Sequence, residues 1–234
     1  MKFPTFHAFN NAVRKGREAL RQKSKAPLPG RFQTFSHTLP DRYPWLFEFT
    51  RSLIDDGEKT RLLSFGCSRG DEVFSLRKYF PRAAIKGVDI DPHNIEHCVR
   101  RARLESAARI TFEVAARTDE EKPETYDAIF CLAVLCNGNL TTSGALNCDP
   151  HLQFADFESV VTDFARCLKP GGLLLLHTTN FIFSDTAVAQ QFEAVLKATP
   201  KQLASDVLFD RNNRLLQGIR YYDVGFRKCA RSDF

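Results

Sequence analysis

The chain has 234 residues, 43% of them hydrophobic and 26% charged, with a formal net charge of +5. That length suits one α/β domain with a full core and an N-terminal extension. No apolar run approaches the roughly 20 residues that a transmembrane helix needs, and the start MKFPTFHAFNNAVRKG lacks the apolar region of a secretory signal.

Seven cysteines without a CxxC pair read as small hydrophobes in a reducing, cytoplasmic protein rather than as a disulfide framework. The charge is uneven. Residues 1–42 carry nine Lys/Arg against Glu18 and Asp41, whereas residues 43–234 carry 24 basic and 26 acidic residues. This basic arm would suit a solvated helix and linker, or contact with nucleic acid or another anionic polymer. No aromatic residue interleaves positions 10–31, so base stacking gains no support there.

In chain order, residues 8–24 have mixed helical character and APLPGRF at 26–32 reads as a linker. Pro44 opens a helix carrying Trp45, Leu46, Phe49, Leu53 and Ile54. Residues 1–55 are thus a basic arm and helical cap segment, and 56–234 the main domain. Strands are predicted at 61–65, 84–89, 109–115, 126–131 and 172–177. Helices are predicted at 71–80, 92–106, 156–168 and 185–198. Residues 137–156 make a connection longer than the usual two to six, which marks a lid or disorder. VLFD, RNNR and GIRYYDVGFRK read as a terminal antiparallel hairpin with an Asn-rich turn.

The chemistry concentrates at RLLSFGCSRGDEVFSL. A buried strand runs into a turn with Gly66 and Gly70, and an amphipathic helix follows. The glycines let a backbone approach a ligand, and the helix N–H groups are open to negative charge. The next strand ends in Asp89, 23 residues after Gly66, where a carboxylate can hold ribose hydroxyls. Cys67 and Ser68 line the same turn. A dinucleotide fingerprint needs G-x-G-x-x-G. Here Ser68 holds the middle position and the third glycine is missing, so NAD and a nicotinamide-dependent oxidoreductase are disfavoured. Asp91, just before Pro92, reads as a helix cap.

This stretch resembles motif I of class I S-adenosylmethionine-dependent methyltransferases, with Ser64 in the usual acidic position. GCSRGDEVFSL is similar to the G-C-S-x-G-E-E-x-Y-S-L run of the chemotaxis receptor (CheR-type) methyltransferases. VDIDP, YDAIFCLAVLC and LKPGGLLLLHTTN resemble that family's later motifs in the same order. Leu132 and Ala133 stand where the family has Arg and Asn, and only 37 residues separate Asp89 from Asp127, too few for its small antiparallel subdomain. The resemblance implies a doubly wound, Rossmann-like sheet of seven mostly parallel strands, ending in an antiparallel hairpin. It implies S-adenosyl-L-methionine as cofactor, held by Gly66, Cys67, Ser68, Gly70, Asp89 and Ile90, with Cys131 and Leu132 at the adenosine and methyl-transfer site.

An acceptor is not written in the sequence. A carboxylate acceptor needs no base and a hydroxyl usually does. No strong general base stands out, which favours a carboxylate or an already nucleophilic acceptor. A carboxylate or hydroxyl oxygen is the expectation, and a non-catalytic module retaining the fold is the alternative. Candidates for acceptor-side chemistry are His151 in the long loop, His177 at the end of a strand, and Tyr43, which shares a Pro-bounded segment with His37 and Arg42. His93, His97 and Cys98 invite a metal reading, but no third ligand has suitable spacing, so a metal site is not expected.

Overall fold

A computed structural model of the chain describes residues 32–33, 36–203 and 207–230. The basic arm up to residue 31 and its helical stretch at 8–24 lie outside the described residues. Residues 32–234 form one compact unit.

Five strands and five helices come first in this unit: α1 (Pro44–Leu53), β1 (Arg61–Phe65), α2 (Asp71–Tyr79), β2 (Ala84–Asp89), α3 (Pro92–Leu104), β3 (Ile110–Val114), β4 (Tyr126–Leu132) and, after α4 (Gly138–Ser143) and α5 (Phe154–Cys167), β5 (Leu168–His177). β6 (Phe192–Lys197), β7 (Leu208–Phe209), β8 (Leu215–Leu216) and β9 (Asp223–Lys228) follow. The main sheet has seven strands in the order β3-β2-β1-β4-β5-β9-β6. β1 to β5 run parallel, and β9 runs antiparallel to both neighbours. The chain therefore forms the expected doubly wound α/β sheet, and its strand order reverses between β1 and β4. Ligands of such sheets bind at that switch point, beyond the carboxyl ends of the strands.

Successive strand residues point to opposite faces, and here both faces are covered. Leu63 and Phe65 of β1, Ile129 and Cys131 of β4, and Leu174 and Leu176 of β5 enter one core with α5. Leu62, Ala128, Phe130, Leu132, Leu173 and Leu175 enter the other with α1, α2 and α3. This explains why these strands read as continuous apolar runs rather than alternating ones. α1 starts with Pro44 in its first turn, buries Leu46 and Phe47 almost completely, and sets Phe47 edge-on to Phe130, with ring centroids 5.8 Å apart.

Two expectations need correction. The helix predicted at 185–198 does not form. Two short 3-10 turns, Phe183–Asp185 and Ala187–Gln191, lead into β6. β9 already pairs with β5, so its outer edge offers a row of backbone donors and acceptors, and FEAVLK satisfies them. Tertiary pairing overrides a modest helical preference. The expected terminal hairpin is divided as well: VLFD supplies β7, which pairs with β8, while the YYDVGFRK end supplies β9 of the main sheet.

The long 137–156 connection is ordered. α4 occupies its start, and Asn213 ties down its end. The Asn213 Oδ1 accepts from the Phe154 N–H, and its Nδ2 donates to Asp149 and Gln153.

Candidate functional site

β1 leads into the turn that defines the site. Gly66 has φ 72°, Ser68 φ 49° and Gly70 φ 88°. Gly66 and Cys67 N–H groups donate to the Val88 carbonyl, fastening the turn to the end of β2. A Cβ at Gly66 would lie 2.5 Å from Cγ2 of Val134, and one at Gly70 would lie 3.0 Å from Sγ of Cys98. The two glycines thus answer both to backbone sign and to close approach.

Asp89 is buried, and its carboxylate is already engaged. Oδ2 accepts from the Ser68 N–H at 2.8 Å, and Oδ1 from the Asp91 N–H at 2.9 Å and from Asn94 Nδ2 at 3.0 Å. A carboxylate has about four lone-pair sites, so Asp89 clamps the turn and retains capacity for a further donor. The Ser68 hydroxyl beside it is buried without a hydrogen-bond partner. Asp91 caps α3, its side chain accepting from the His93 N–H. Ile90 between the two aspartates is half-buried.

Cys67 and Cys131 are buried. The neighbouring Cys98 thiol and then burial push the Cys67 thiol well up, and burial does the same to Cys131. Both stay as neutral thiols, so their contribution to the turn and to the end of β4 is shape. Leu132, the last residue of β4, is buried next to them. Cys98 faces inward, while His93 and His97 on the same helix are exposed. His151 is exposed in the turn that follows α4.

Two carboxyl-end residues share the strain of Ser68. Ala133 follows β4 with φ 59°, and Thr178 follows β5 with φ 59°. The Ala133 N–H donates to the His177 carbonyl at 2.8 Å. A β-branched residue with positive φ is a true outlier, and such strain, roughly 1–3 kcal/mol each, clusters at functional sites.

The sequence reading missed the most telling residue of this crevice. Glu72, in the first turn of α2, accepts a 2.7 Å hydrogen bond from the Ser64 hydroxyl. Burial raises its pKa from the ordinary 4.5 to about 7, against the lowering effects of the Ser64 bond and the Arg42 charge. Arg42 reaches the same space. Its guanidinium lies 5.0 Å from the Tyr43 ring centroid, and its charge acts on Glu72, Cys136 and His177. It forms no ion pair with Glu72 among the described residues. The signal for Glu72 was present in Ser64: where motif I usually has an acid, this chain places a hydroxyl and brings in the carboxylate from the following helix.

Tyr43 and His177 do meet. Their ring centroids lie 4.7 Å apart, and Trp45 stands edge-on to the same imidazole at 5.8 Å. His177 is buried, with Nε2 2.9 Å from the Gln202 carbonyl and Nδ1 2.8 Å from the Thr178 hydroxyl. Burial lowers its pKa to about 4, so the ring is neutral at pH 7 and is a weak base. The Tyr43 hydroxyl is buried without a hydrogen-bond partner.

The model of the methyltransferase domain family matches residues 56–221. The chain belongs to this family. It is an S-adenosylmethionine-dependent methyltransferase domain. Curated relatives include the ubiquinone biosynthesis O-methyltransferase of Aliivibrio fischeri strain MJ11, 26% identical over 197 residues, covering 81% of this chain and 73% of the relative. The corresponding enzyme of Vibrio atlanticus is 25% identical over 195 residues, with 82% and 73% covered.

Among solved structures, this methyltransferase domain is similar to geranyl diphosphate C-methyltransferase from Streptomyces coelicolor A3(2), at 19% identity and TM-score 0.42 over 56% of this chain and 44% of the other. It is also similar to phosphoethanolamine N-methyltransferase 2 of Haemonchus contortus, at 18% identity and TM-score 0.45 over 71% and 32%. The domain spans less than half the length of either solved chain. No described helix is long and apolar enough to cross a membrane.

The residues at the strand ends fit this cofactor. Its amino-acid end is a zwitterion, and the crevice offers an unbridged carboxylate and guanidinium, Glu72 and Arg42. Its ribose presents hydroxyls, and Ser68 is an orphaned buried hydroxyl beside a carboxylate with capacity left. The turn at Gly66 brings backbone close without a side chain.

Proposed function

We propose that this domain transfers the methyl group of S-adenosylmethionine to an oxygen nucleophile. Glu72 carries the reading: a half-buried residue whose carboxyl pKa is raised by burial to about 7 while the Arg42 charge acts on it, at the sheet's switch point, is matched to a ligand that brings an ammonium and a carboxylate together. In this reading Glu72 accepts from the ammonium and Arg42 donates to the carboxylate. Asp89 and Ser68 receive the ribose at the Gly66–Gly70 turn, with Cys67 shaping its floor. Ile90, Cys131 and Leu132 border the adenosine. The GCSRGDE run, with its acidic pair after the second glycine, accounts for the likeness to the CheR-type motif. The receptor-type acceptor is not part of this proposal.

When bound, the cofactor supplies a methyl group already activated on a sulfonium. The chain's own residues therefore have mainly to align the acceptor and exclude water. Held by Glu72, Arg42 and Asp89, the cofactor would supply its methyl carbon to the acceptor oxygen, with the electrons of the carbon–sulfur bond left on sulfur. A hydroxyl acceptor also releases its proton to solvent. The O-methyltransferase relatives support oxygen as the acceptor atom.

Isothermal titration with S-adenosylhomocysteine, S-adenosylmethionine and NADH tests the cofactor assignment. Binding of both sulfur nucleosides and no response to NADH is expected. NADH binding with no response to either would overturn it. Incubation of cell extract with methyl-labelled cofactor should then give label in ether or ester linkage in the wild type. Cofactor binding with no transfer to any fraction would favour a non-catalytic module.

A further inference from the structure

We propose that the outer edge of β3 is a docking surface for a second copy of this chain, which it meets through an antiparallel β3–β3 pairing centred on Thr111.

β3 ends the main sheet and pairs with β2 alone. The Ile85 N–H donates to the Arg109 carbonyl, and the Ala115 N–H donates to the Asp89 carbonyl. Backbone groups of successive strand residues point to alternate sides. Arg109, Thr111, Glu113 and Ala115 therefore turn their N–H and C=O groups to β2, and Ile110, Phe112 and Val114 turn theirs outward. Among the described residues these outward groups have no partner.

Sheet edges are commonly blunted by proline, lysine or a bulge. The strand ITFEV has neither proline nor lysine, and its register against β2 runs without a break. Beside it lies an open groove of about 510 Å³, whose lining includes Val99, Ala102, Arg103 and Ser106 from α3 and its C-terminal end and Ile110 and Phe112 from the edge strand. Val114 is 49% exposed. The edge is thus unprotected, strand-prone and flanked by apolar surface that a further strand would cover.

Charge selects the occupant and its direction. Arg109, Thr111 and Glu113 share one face of the strand. Arg109 is exposed; its guanidinium donates to the Glu58 carbonyl and forms no ion pair among the described residues. At the other end, Glu113 and Glu121 share the single ammonium of Lys86, and the Glu113 side chain is 53% exposed. This face of β3 therefore runs from positive to negative, and an antiparallel second copy runs from negative to positive.

With Thr111 on the two-fold axis, Arg109 lies opposite Glu113 of the second copy, and Glu113 lies opposite its Arg109. These fall in the non-hydrogen-bonded class of pairs, where side chains approach more closely. Ile110 and Phe112 then lie opposite Phe112 and Ile110 of the second copy, and each pair exchanges both of its backbone hydrogen bonds. Parallel pairing in register would instead set Arg109 against Arg109 and Glu113 against Glu113, which is destabilising. The antiparallel contact is isologous, so assembly closes at two chains. The carboxyl ends of the two β3 strands point in opposite directions, and both crevices stay open.

Sedimentation equilibrium of the full chain at about 100 μM should give twice the chain's mass, as expected for a dissociation constant well below that concentration. Arg109→Glu and Glu113→Arg each set like charges opposite one another twice across the axis. Either one alone should raise the dissociation constant about tenfold or more. Mixed in equal amounts, the two variants regain both opposite-charge pairs, and the mixture should associate about as tightly as wild type. A folding defect in either variant would not be cured by mixing.

Thr111→Lys changes an exposed position and sets lysine against lysine on the axis, so it should also give monomer. It keeps the test decisive if Glu113→Arg does not fold. Amide hydrogen exchange at Ile110 and Phe112 should be slower in the wild-type dimer than in the Thr111→Lys monomer. A wild type that is monomeric at about 100 μM would overturn the proposal. So would a dimer left intact by both Arg109→Glu and Thr111→Lys, a mixture of folded charge variants that associates no better than its parts, or unprotected amides at Ile110 and Phe112 in the dimer.

Discussion

Glu72 offers a prediction in which two observables should move in opposite directions. Its folded-state pKa is about 7, against an ordinary 4.5. A raised folded value means that its contribution to stability is fully present below about pH 4.5 and is lost as pH rises through 7. The difference of about 2.5 units corresponds to roughly 3 kcal/mol. The ligand-free protein should therefore lose stability across this window.

Cofactor affinity should rise over the same window, because only the ionised carboxylate can pair with an ammonium. With a pKa of about 7, the ionised fraction goes from about 0.1 at pH 6 to about 0.75 at pH 7.5, so the dissociation constant should fall about eightfold. The other groups that face Glu72 do not titrate here. Tyr43, Cys67 and Cys131 are all raised and stay neutral.

Glu72→Gln should flatten both trends. It should make the ligand-free protein more resistant to heat than wild type at pH 8, and it should weaken S-adenosylhomocysteine binding at pH 7.5 by about 10–150-fold, the scale of one charge-assisted hydrogen bond. Calorimetric titration and thermal melts at pH 6, 7 and 8 measure both. An identical pH slope of affinity in wild type and Glu72→Gln would refute the reasoning, and so would a wild-type affinity that falls as pH rises.

Other outcomes follow from the turn and the long loop. Asp89→Ala should lower the melting temperature as well as cofactor affinity, because it removes the partner of three internal hydrogen bonds; Asp91→Ala should cost about 1 kcal/mol as a lost cap and leave affinity unchanged, and the reverse pattern by titration would move the ribose carboxylate to Asp91. Gly66→Ala meets Val134 at 2.5 Å and forces alanine to φ 72°, so its folded fraction should bind S-adenosylhomocysteine much more weakly; unchanged affinity would mean that the cofactor does not lie on this turn. Asn213→Ala should speed amide hydrogen exchange across residues 144–154 with little effect on cofactor affinity, since its side chain ties that loop to the β7–β8 hairpin.

Much of the sheet was legible because burial on both faces leaves a plain imprint. Residues 61–65, 84–89 and 126–131 are short apolar runs set off by glycine, proline or acidic residues. Pro92 after Asp91 announced a capped helix. β6 was not legible, because Phe192-Glu193-Ala194-Val195-Leu196-Lys197 suits either period, and the partner that decides it lies beyond a hairpin in the sequence. At the site, the glycine turn and Asp89 were visible, but the prior engagement of the Asp89 carboxylate was not, since its donors come from backbone at Ser68 and Asp91 and from the Asn94 side chain. Glu72 reads as an ordinary first-turn acid until the fold turns it towards Ser64. Thr178 left no signal, because a threonine's backbone sign cannot be read from its letter.

The position of β9 between β5 and β6 sets an order of assembly. The parallel half of the sheet, β1 to β5, can form as the chain is made. β6 is made before β9, its only partner in the sheet among the described residues, so it has no strand to join until Asp223–Lys228 arrives. During that interval the outer edge of β5 is open, a state in which growing chains are vulnerable to wrong pairing. Removing the last strand would therefore strip the sheet of two strands, because β6 would be stranded with it.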